Sequence, residues 1–339
     1  MFKLRTSLLA APLLAAALST AAPQPARAAV EETSLALPAL ALIFAPIYIA
    51  DAKGFWTKHD LKVKLHDIVG IGSMNAVFAG SVDFSSSSGP TVIRAFVRGQ
   101  KVIAIGETLQ MLPFEVVLRK ELADQMGITP QSPGDKRALS LKGKKVSMIS
   151  PNTIVHAYLR YWLRQHKVDP ERDITLAYMP PEAGLAALKT GAIDAYNQGL
   201  PWTEIAVQQG LAVRISSTTI GDLKELSPVS SNVIDTRADF CNQKPSVCTK
   251  MMQGVTEAMR FMLDNPKESV EILEKKMPGL DHTVFVNSFE PLRKGTPRSS
   301  KVTETSMANA QKLMLLGGMM KEDEKLSSFK DVYTDKYAE

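Results

Sequence analysis

The chain has 339 residues, of which 45% are apolar, 22% are charged and 6% are aromatic, and its formal net charge is +5. This composition is typical of a globular protein and excludes a disordered or collagen-like chain. Its basic residues are scattered along the chain, so nucleic acid is not an expected partner.

The first 28 residues have the pattern of a secretory signal peptide. Lys3 and Arg5 form a basic start, residues 8–22 are mostly apolar, and Ala26-Arg27-Ala28 matches a small-residue cleavage site. A membrane anchor is the alternative, but the run is short and contains Pro12, whereas a bilayer needs about 20 apolar residues. We expect cleavage near Ala28 and export to the periplasm, which lowers the net charge from +5 to +2 because three basic residues are removed.

The remaining 311 residues suffice for about two domains of roughly 150 residues each. Two cysteines, Cys241 and Cys248, lie seven positions apart. Nearby cysteines in an oxidising compartment usually pair, whereas a metal site would need further ligands and no histidine lies close in sequence. The pattern therefore favours a local disulfide, with neither a bound metal nor a cofactor.

Strand and helix patterns alternate along the chain, which is typical of an α/β protein. In the first part the sequence predicts strands at 33–37, 61–68 and 82–85, and helices at 47–57, 72–79 and 91–97. In the middle it predicts strands at 145–149, 174–178 and 193–196, and helices at 153–166 and 182–189. The last part contains a predicted strand at 231–236 and helices at 245–263, 267–276 and 304–316.

The first two stretches share a motif as well as an element order. Gly80-Ser-Val-Asp83 and Gly191-Ala-Ile-Asp194 lie 111 residues apart, and each follows a predicted helix and begins a strand. Glycine at this point suits a left-handed helix cap. Coincidence is the alternative because the motif is short, but the shared order of elements favours two related lobes over a solenoid repeat.

No enzyme signature is present. The sequence lacks a Gly-x-Ser-x-Gly nucleophile elbow, a phosphate-binding Walker loop and a His-Glu-x-x-His zinc helix. Its five histidines have no metal-ligand spacing, although His156 stands early in a helix that could face a site. We therefore predict a binding protein and no catalytic residues.

Three predicted helices begin with polar residues directly after a strand. These starts contain Ser73, the pair Ser87 and Ser88, and the pair Asn152 and Thr153. Hydroxyls, amides and backbone N–H groups at the positive end of a helix suit an anionic group. Plain N-capping is the alternative for each start. Their shared position at the carboxyl ends of strands indicates a ligand crevice.

Five segments, in this order, resemble one known family. They are Pro46–Trp56, Gly70–Ser73, Gly80–Phe84, Leu141–Val146 and Gly191–Ala195. They are similar to the periplasmic solute-binding proteins of ABC importers, in the nitrate/sulfonate/taurine family that includes thiamine-pyrimidine-type receptors. The resemblance implies a two-lobed α/β fold of type II, or Venus-flytrap, topology that binds its ligand without enzymatic activity.

The resemblance also implies the lobes and the partners. Lobe one comprises residues 29–112 and 235–339, and lobe two comprises residues 113–234. A small-molecule ligand is expected between them, and an ABC permease in the inner membrane is expected to receive the closed form. We expect the protein to be a monomer.

The predicted site combines these helix starts with apolar walls. Ser87, Ser88, Asn152 and Thr153 are the predicted head-group ligands, Ser73 and Gln198 flank them, and Phe44 and Trp202 are the apolar walls. Lobe packing is the alternative for the loop that contains Phe44. No Arg or Lys falls in the matched site segments, so an apolar body with one polar or anionic head, such as a sulfonate or aromatic carboxylate, fits better than nitrate or taurine.

Two other functions remain open at the level of sequence. One is an enzyme on the same fold that acts on a pyrimidine or menaquinone precursor, which the signal peptide disfavours because those pathways are cytosolic. The other is a sensor that binds its ligand without transport, which the sequence does not separate from an importer.

Overall fold

The computed structural model describes residue 1 and residues 29–338. Apart from Met1, the predicted signal peptide therefore lies outside the described residues. The described chain alternates between strands and helices, as the sequence predicts.

Ten strands form the two sheets. The first four are β1 (Glu31–Leu37), β2 (Leu61–Asp67), β3 (Phe84–Ser87) and β4 (Val102–Leu109). The next five are β5 (Phe114–Arg119), β6 (Lys145–Met148), β7 (Thr175–Tyr178), β8 (Ala195–Gly199) and β9 (Ala212–Ser217). The last strand is β10 (Asn232–Arg237).

Helices cover the sheets and fill the C-terminal part. The first six are α1 (Ala45–Lys53), α2 (Phe55–Lys58), α3 (Gly72–Phe78), α4 (Gly89–Val97), α5 (Lys120–Gln125) and α6 (Gly134–Leu139). They are followed by α7 (Ile154–Gln165), α8 (Pro181–Thr190), α9 (Trp202–Gln208) and α10 (Phe240–Gln243). The last four are α11 (Pro245–Asp264), α12 (Pro266–Lys276), α13 (His282–Gly295) and α14 (Glu304–Leu316).

The strands form two five-stranded sheets of the same design, one in each lobe. Their orders are β2-β1-β3-β10-β4 and β7-β6-β8-β5-β9. In each sheet the first three strands are parallel, and the fourth is antiparallel to both of its neighbours. This arrangement confirms the predicted two-lobed α/β fold with related halves.

The repeated glycine and aspartate have the same structural role in both lobes. Gly80 and Gly191 both have φ of +75°, a left-handed conformation that glycine adopts without strain. Asp83 accepts a hydrogen bond from the backbone N–H of Ser34, in β1, and Asp194 accepts one from that of Lys145, at the start of β6. Each aspartate thus fastens a strand to its parallel neighbour.

The structure differs from the predicted elements in two strands and one helix, and the aspartates explain the strands. The strands predicted at 82–85 and 193–196 begin later, at Phe84 and Ala195, because the preceding aspartate is engaged across the sheet. The single helix predicted at 47–57 is divided into α1 and α2, because Gly54 adopts a φ of +67° and ends α1.

The chain crosses between the lobes at residues 110–113 and 218–231. All of β10 pairs within the first sheet, with β3 on one side and β4 on the other. The lobe bounds remain a prediction, but the predicted return at 235 falls inside this strand. We therefore propose that the return crossing ends before Asn232.

α14 packs against both lobes. It contacts α4 of lobe one and α7 of lobe two, and its buried Met307, Leu313 and Met314 belong to an apolar core shared by the lobes. At its end, Arg160 on α7 donates hydrogen bonds to the carbonyl oxygens of Gly317 and Gly318, at 2.7 and 3.1 Å. The two helices that begin at the cleft are therefore supported by one helix.

Among the described residues, no helix combines the length and the apolar character needed to cross a membrane.

The predicted disulfide between Cys241 and Cys248 is present and joins α10 to α11, with its Cα atoms 5.7 Å apart. Both cysteines are buried. The bond joins cysteines that are only seven positions apart in sequence. Because the closed loop is short, the bond lowers the conformational entropy of the unfolded chain only modestly.

Replacing both cysteines by alanine should lower the free energy of unfolding by about 2.5 kcal/mol, the loop-entropy value for about eight residues. Urea unfolding of protein purified from the periplasm, with and without reductant, measures this. The reductant should destabilise the wild type and leave the double variant unchanged. A wild type that is insensitive to reductant and carries two alkylatable thiols would contradict the disulfide.

Candidate ligand-binding site

A cavity of about 110 Å³ lies between the two lobes. It exceeds what one water molecule needs, yet it is well below the roughly 300–1,000 Å³ of pockets for drug-sized ligands. Among the described residues, no charged side chain lines it. The cavity thus suits a small ligand that is held by hydrogen bonds and apolar contacts.

Both lobes supply its polar and its apolar wall. The polar lining residues are Ser73, Ser86, Ser87, Ser88, Thr91, Asn152, Thr153, Gln198, Ser231 and Asn232. The apolar ones are Pro38, Ala39, Ala41, Ile43, Phe44, Ile71, Met74, Pro113, Phe114, Ile149, Ile154, Val155 and Leu200.

Seven of the eight predicted contact residues line this cavity. They are Phe44, Ser73, Ser87, Ser88, Asn152, Thr153 and Gln198. The structure thus brings together residues that are more than 150 positions apart, because the parallel strands of both sheets end at the cleft. Their role as ligand contacts remains a proposal.

Trp202 does not line the cavity. It is the first residue of α9, where its ring packs with the apolar residues of lobe two. Its indole N–H donates a hydrogen bond of 3.2 Å to the carbonyl oxygen of Leu40 in lobe one. Trp202 therefore links the lobes at the rim of the cleft and does not form the predicted wall.

The hydroxyls of Ser88 and Thr153 cap the two helices that begin at the cleft. Ser88 Oγ accepts a hydrogen bond from the backbone N–H of Thr91, and Thr153 Oγ1 accepts one from that of His156. Thr153 also donates to the carbonyl oxygen of Ser150. The capping alternative thus describes these two side chains, although both residues still line the cavity.

Two side-chain donors of the lining make no hydrogen bond of ordinary geometry among the described residues, although one lies near the buried Asp235 carboxyl and the other near the Tyr196 phenol. They are Ser87 Oγ and Gln198 Nε2, and both atoms are buried. Gln198 is only 6% exposed, and its Oε1 accepts the backbone N–H of Gly199 at 3.0 Å. The amide orientation is therefore fixed, and its N–H groups remain available to a ligand.

The two helix starts differ in their free backbone donors. In α4, the N–H of Gly89 donates to the carbonyl oxygen of Ser230, and that of Thr91 is capped by Ser88. In α7, Ile154 and Val155 lie in the first turn, whose N–H groups have no partner within the helix. Both residues line the cavity, so positive potential is concentrated at the start of α7.

His156 lies outside the cavity lining and supports the loop before α7. Its Nδ1 accepts the backbone N–H of Asn152 at 3.1 Å, so the ring proton of the neutral imidazole is on Nε2. Burial, together with the charges of Arg160 and Arg94, lowers its pKa to about 4. The residue is therefore neutral at neutral pH.

Two further hydrogen bonds connect the lobes beside the cavity. Arg94 in lobe one donates to Asn152 Oδ1 at 3.0 Å, and Asn287 on α13 donates to Glu204 Oε1 on α9 at 3.0 Å. Sequence reasoning did not single out Arg94 or Asn287, because neither falls in a motif. These contacts join the two lobes to each other.

A larger groove, of about 500 Å³, lies at the lobe crossings. It is lined by parts of both crossing segments and by the end of α13. None of the predicted contact residues lines it, and so the cleft cavity remains the candidate site.

The sequence matches the NMT1-like family over residues 28–274. Among curated proteins, it is 29% identical over 258 residues to the bicarbonate transport ATP-binding protein CmpC of Synechocystis, covering 74% of this chain and 38% of that protein. The match thus spans less than half the length of this relative.

Two solved structures show the same fold. The alkanesulfonate-binding protein SsuA of Xanthomonas axonopodis has a TM-score of 0.70 and 16% identity, over 87% of this chain and 96% of its own. The periplasmic nitrate-binding protein NrtA of Synechocystis has a TM-score of 0.70 and 18% identity, over 91% and 87%. The family resemblance and the predicted two-lobed binding-protein fold are confirmed.

His156→Asn should remove a pH dependence of stability. The pKa of His156 is about 4 in the folded protein, against 6.5 ordinarily, so the unfolded chain takes up the proton first. Acidification from pH 7 to pH 4 should cost the wild type about 3 kcal/mol more than the variant, whose amide oxygen can still accept the Asn152 N–H. Urea unfolding across this range measures the difference, with His66→Asn on β2 as control, and parallel wild-type and His156→Asn profiles would contradict the prediction.

Proposed function

The chain belongs to the NMT1-like family, and we propose that it is the substrate-binding subunit of an ABC importer that captures a small organic anion between its lobes. The observation that supports this most directly is the cleft cavity, which both lobes line and which contains buried donors that make no hydrogen bond of ordinary geometry. The relatives, whose names refer to bicarbonate transport, alkanesulfonate binding and nitrate binding, support the same class of function.

The anionic head of the proposed ligand is supported by hydrogen-bond donors in a lining that contains no charged side chain. Ser87 Oγ and Gln198 Nε2 make no hydrogen bond of ordinary geometry, and the first-turn N–H groups of Ile154 and Val155 have no partner within α7. A helix start also favours negative charge through its dipole. Because the lining contains no cationic side chain, the oxygen atoms of the proposed ligand accept hydrogen bonds from neutral donors alone.

The apolar body is supported by the opposite wall. Phe44, Ile43 and Met74 from lobe one face the cleft together with Phe114. Burial of an apolar group there contributes about 25 cal/mol per Å², whereas a bare inorganic anion would leave this wall without a partner. A sulfonate or an aromatic carboxylate therefore fits the lining better than nitrate.

Export and transport complete the proposal. The sequence predicts a signal peptide cleaved near Ala28, and the disulfide between Cys241 and Cys248 suits an oxidising periplasm. The closed monomer would deliver its ligand to a permease in the inner membrane. No chemical step is included, so ligand recovered after incubation should be unchanged by mass spectrometry.

Gln198→Met should weaken binding of the anion and preserve the fold. The change removes two donors while roughly keeping the side-chain volume, and a hydrogen bond to a charged group contributes about 1.5–3 kcal/mol, or about 10- to 150-fold in affinity. The probe is whichever of methanesulfonate, benzoate, bicarbonate and nitrate most raises the melting temperature, and calorimetric titration measures its affinity.

Gln209→Met is the matched control, because Gln209 is exposed just after α9 and does not line the cavity. Its affinity should equal that of the wild type. Equal affinities for Gln198→Met and Gln209→Met would reject the proposed contact. A melting temperature that no anion raises, but that a neutral sugar raises, would reject the ligand class.

A further inference from the structure

Arg94, in the last turn of α4, connects the two lobes. Its Nη1 donates a hydrogen bond of 3.0 Å to Oδ1 of Asn152, which precedes α7 in lobe two. Among the described residues, no carboxylate lies within ion-pair distance of Arg94. The guanidinium is half-buried, and burial together with the nearby charge of Arg98 lowers the pKa of Arg94. Among the described residues, Asn152 Oδ1 is thus the side-chain acceptor to which this cation is hydrogen-bonded, while the Glu324 carboxylate acts on it from beyond ion-pair distance.

Asn152 is fixed from two further directions. Its φ of +63° is a left-handed conformation that asparagine tolerates better than most residues. Its backbone N–H donates to Nδ1 of His156. Because Oδ1 accepts from the Arg94 cation, the amide cannot flip without placing its own N–H groups against that cation, and so Nδ2 is directed away from Arg94.

The position of Asn152 connects this orientation to the ligand. Asn152 lines the cleft cavity and also a small neighbouring cavity, which contains Arg94 and Arg98. Thr91, one turn before Arg94 on α4, lines both cavities as well. Asn152 is an exposed residue at the edge of both cavities, and its amide oxygen is directed toward Arg94.

We propose that Arg94 is a positioning residue that completes the binding site when the lobes close, by orienting the Asn152 amide so that its N–H groups face the ligand. The bond joins different lobes, and it therefore stabilises the arrangement in which they meet. Closure and ligand binding are then coupled through one side chain, and each strengthens the other. This inference rests on the proposed function, since it names a residue that assembles the same site.

The first test needs no ligand. Asn152→Asp replaces the amide by a carboxylate at the same distance from Arg94, which should form an ion pair and compact the unliganded protein. Small-angle scattering measures the radius of gyration, and the fluorescence of Trp202 reports on the rim because its indole bonds to Leu40 across the lobes. The compaction should disappear in the double variant Asn152→Asp with Arg94→Met.

Arg98→Met is the matched control, since Arg98 lies one turn further along α4 and makes no contact with Asn152 among the described residues. Asn152→Asp should compact the Arg98→Met protein as it does the wild type. Equal compaction in the Arg94→Met and Arg98→Met backgrounds, or none in any background, would overturn the proposal.

The second test uses benzoate and methanesulfonate as probes, and it measures their association and dissociation rates separately. Arg94→Met should raise the dissociation rate by about 10-fold or more with little change in association, because a contact of the closed state is lost. Arg94→Lys, which keeps a cationic donor, should restore part of the affinity, and Arg98→Met should match the wild type. An unchanged dissociation rate in Arg94→Met would contradict the positioning role. If neither probe binds, the ligand class of the proposed function fails, while the scattering test still decides the role of Arg94.

Discussion

The absence of charged side chains from the described cavity lining is the constraint on which the site depends. A buried anion must then be stabilised by dipoles and hydrogen bonds, which are effective only if they are oriented before the ligand arrives. Ser88 and Thr153 cap the two helices that begin at the cleft. The first-turn N–H groups of Ile154 and Val155, which line the cavity, have no partner within α7, and in the proposed site they are donors to the ligand. Arg94 lies outside the cavity lining and donates a hydrogen bond to Asn152, which lines the cavity.

The related lobes explain why the helix starts converge. In each sheet a glycine with φ of +75° ends a helix turn, and the following aspartate fastens the next strand to its parallel neighbour. The arginines at the ends of the antiparallel strands extend the correspondence, since Arg237 lies close to Gly80 and Arg119 close to Gly191. Two lobes built in this way present the carboxyl ends of their strands to each other, so a polar residue after any of the parallel strands is directed to the cleft.

Sequence predicted those parts of the molecule that follow from local patterns. The parallel strands, the long α11 and α14 and the polar helix starts all have strong signals, and seven predicted contact residues line one cavity. The antiparallel strands β4, β5 and β9 were not predicted, although Gly99, Pro113 and Gly210 stand shortly before them. Trp202 and Arg94 could not be placed either. Their hydrogen bonds cross between lobes to Leu40 and Asn152, and no spacing along the chain records which side chains meet when two lobes close.

Lobe closure must also act on α14, which packs on both α4 and α7. Arg160 binds the carbonyl oxygens of Gly317 and Gly318 at the end of that helix, and a Cβ atom on Gly317 would come within 2.8 Å of the Leu313 carbonyl oxygen and 3.3 Å of that of Ala157. The close approach therefore requires glycine. α7 is held by α14 at its middle, and Asn152, two residues before its start, is held by Arg94. A rotation of lobe two, as proposed, would carry the first-turn N–H groups of α7 and the Asn152 amide together. In the proposed site, the donors of lobe two would therefore approach Ser87 of lobe one together, which would couple ligand binding to closure.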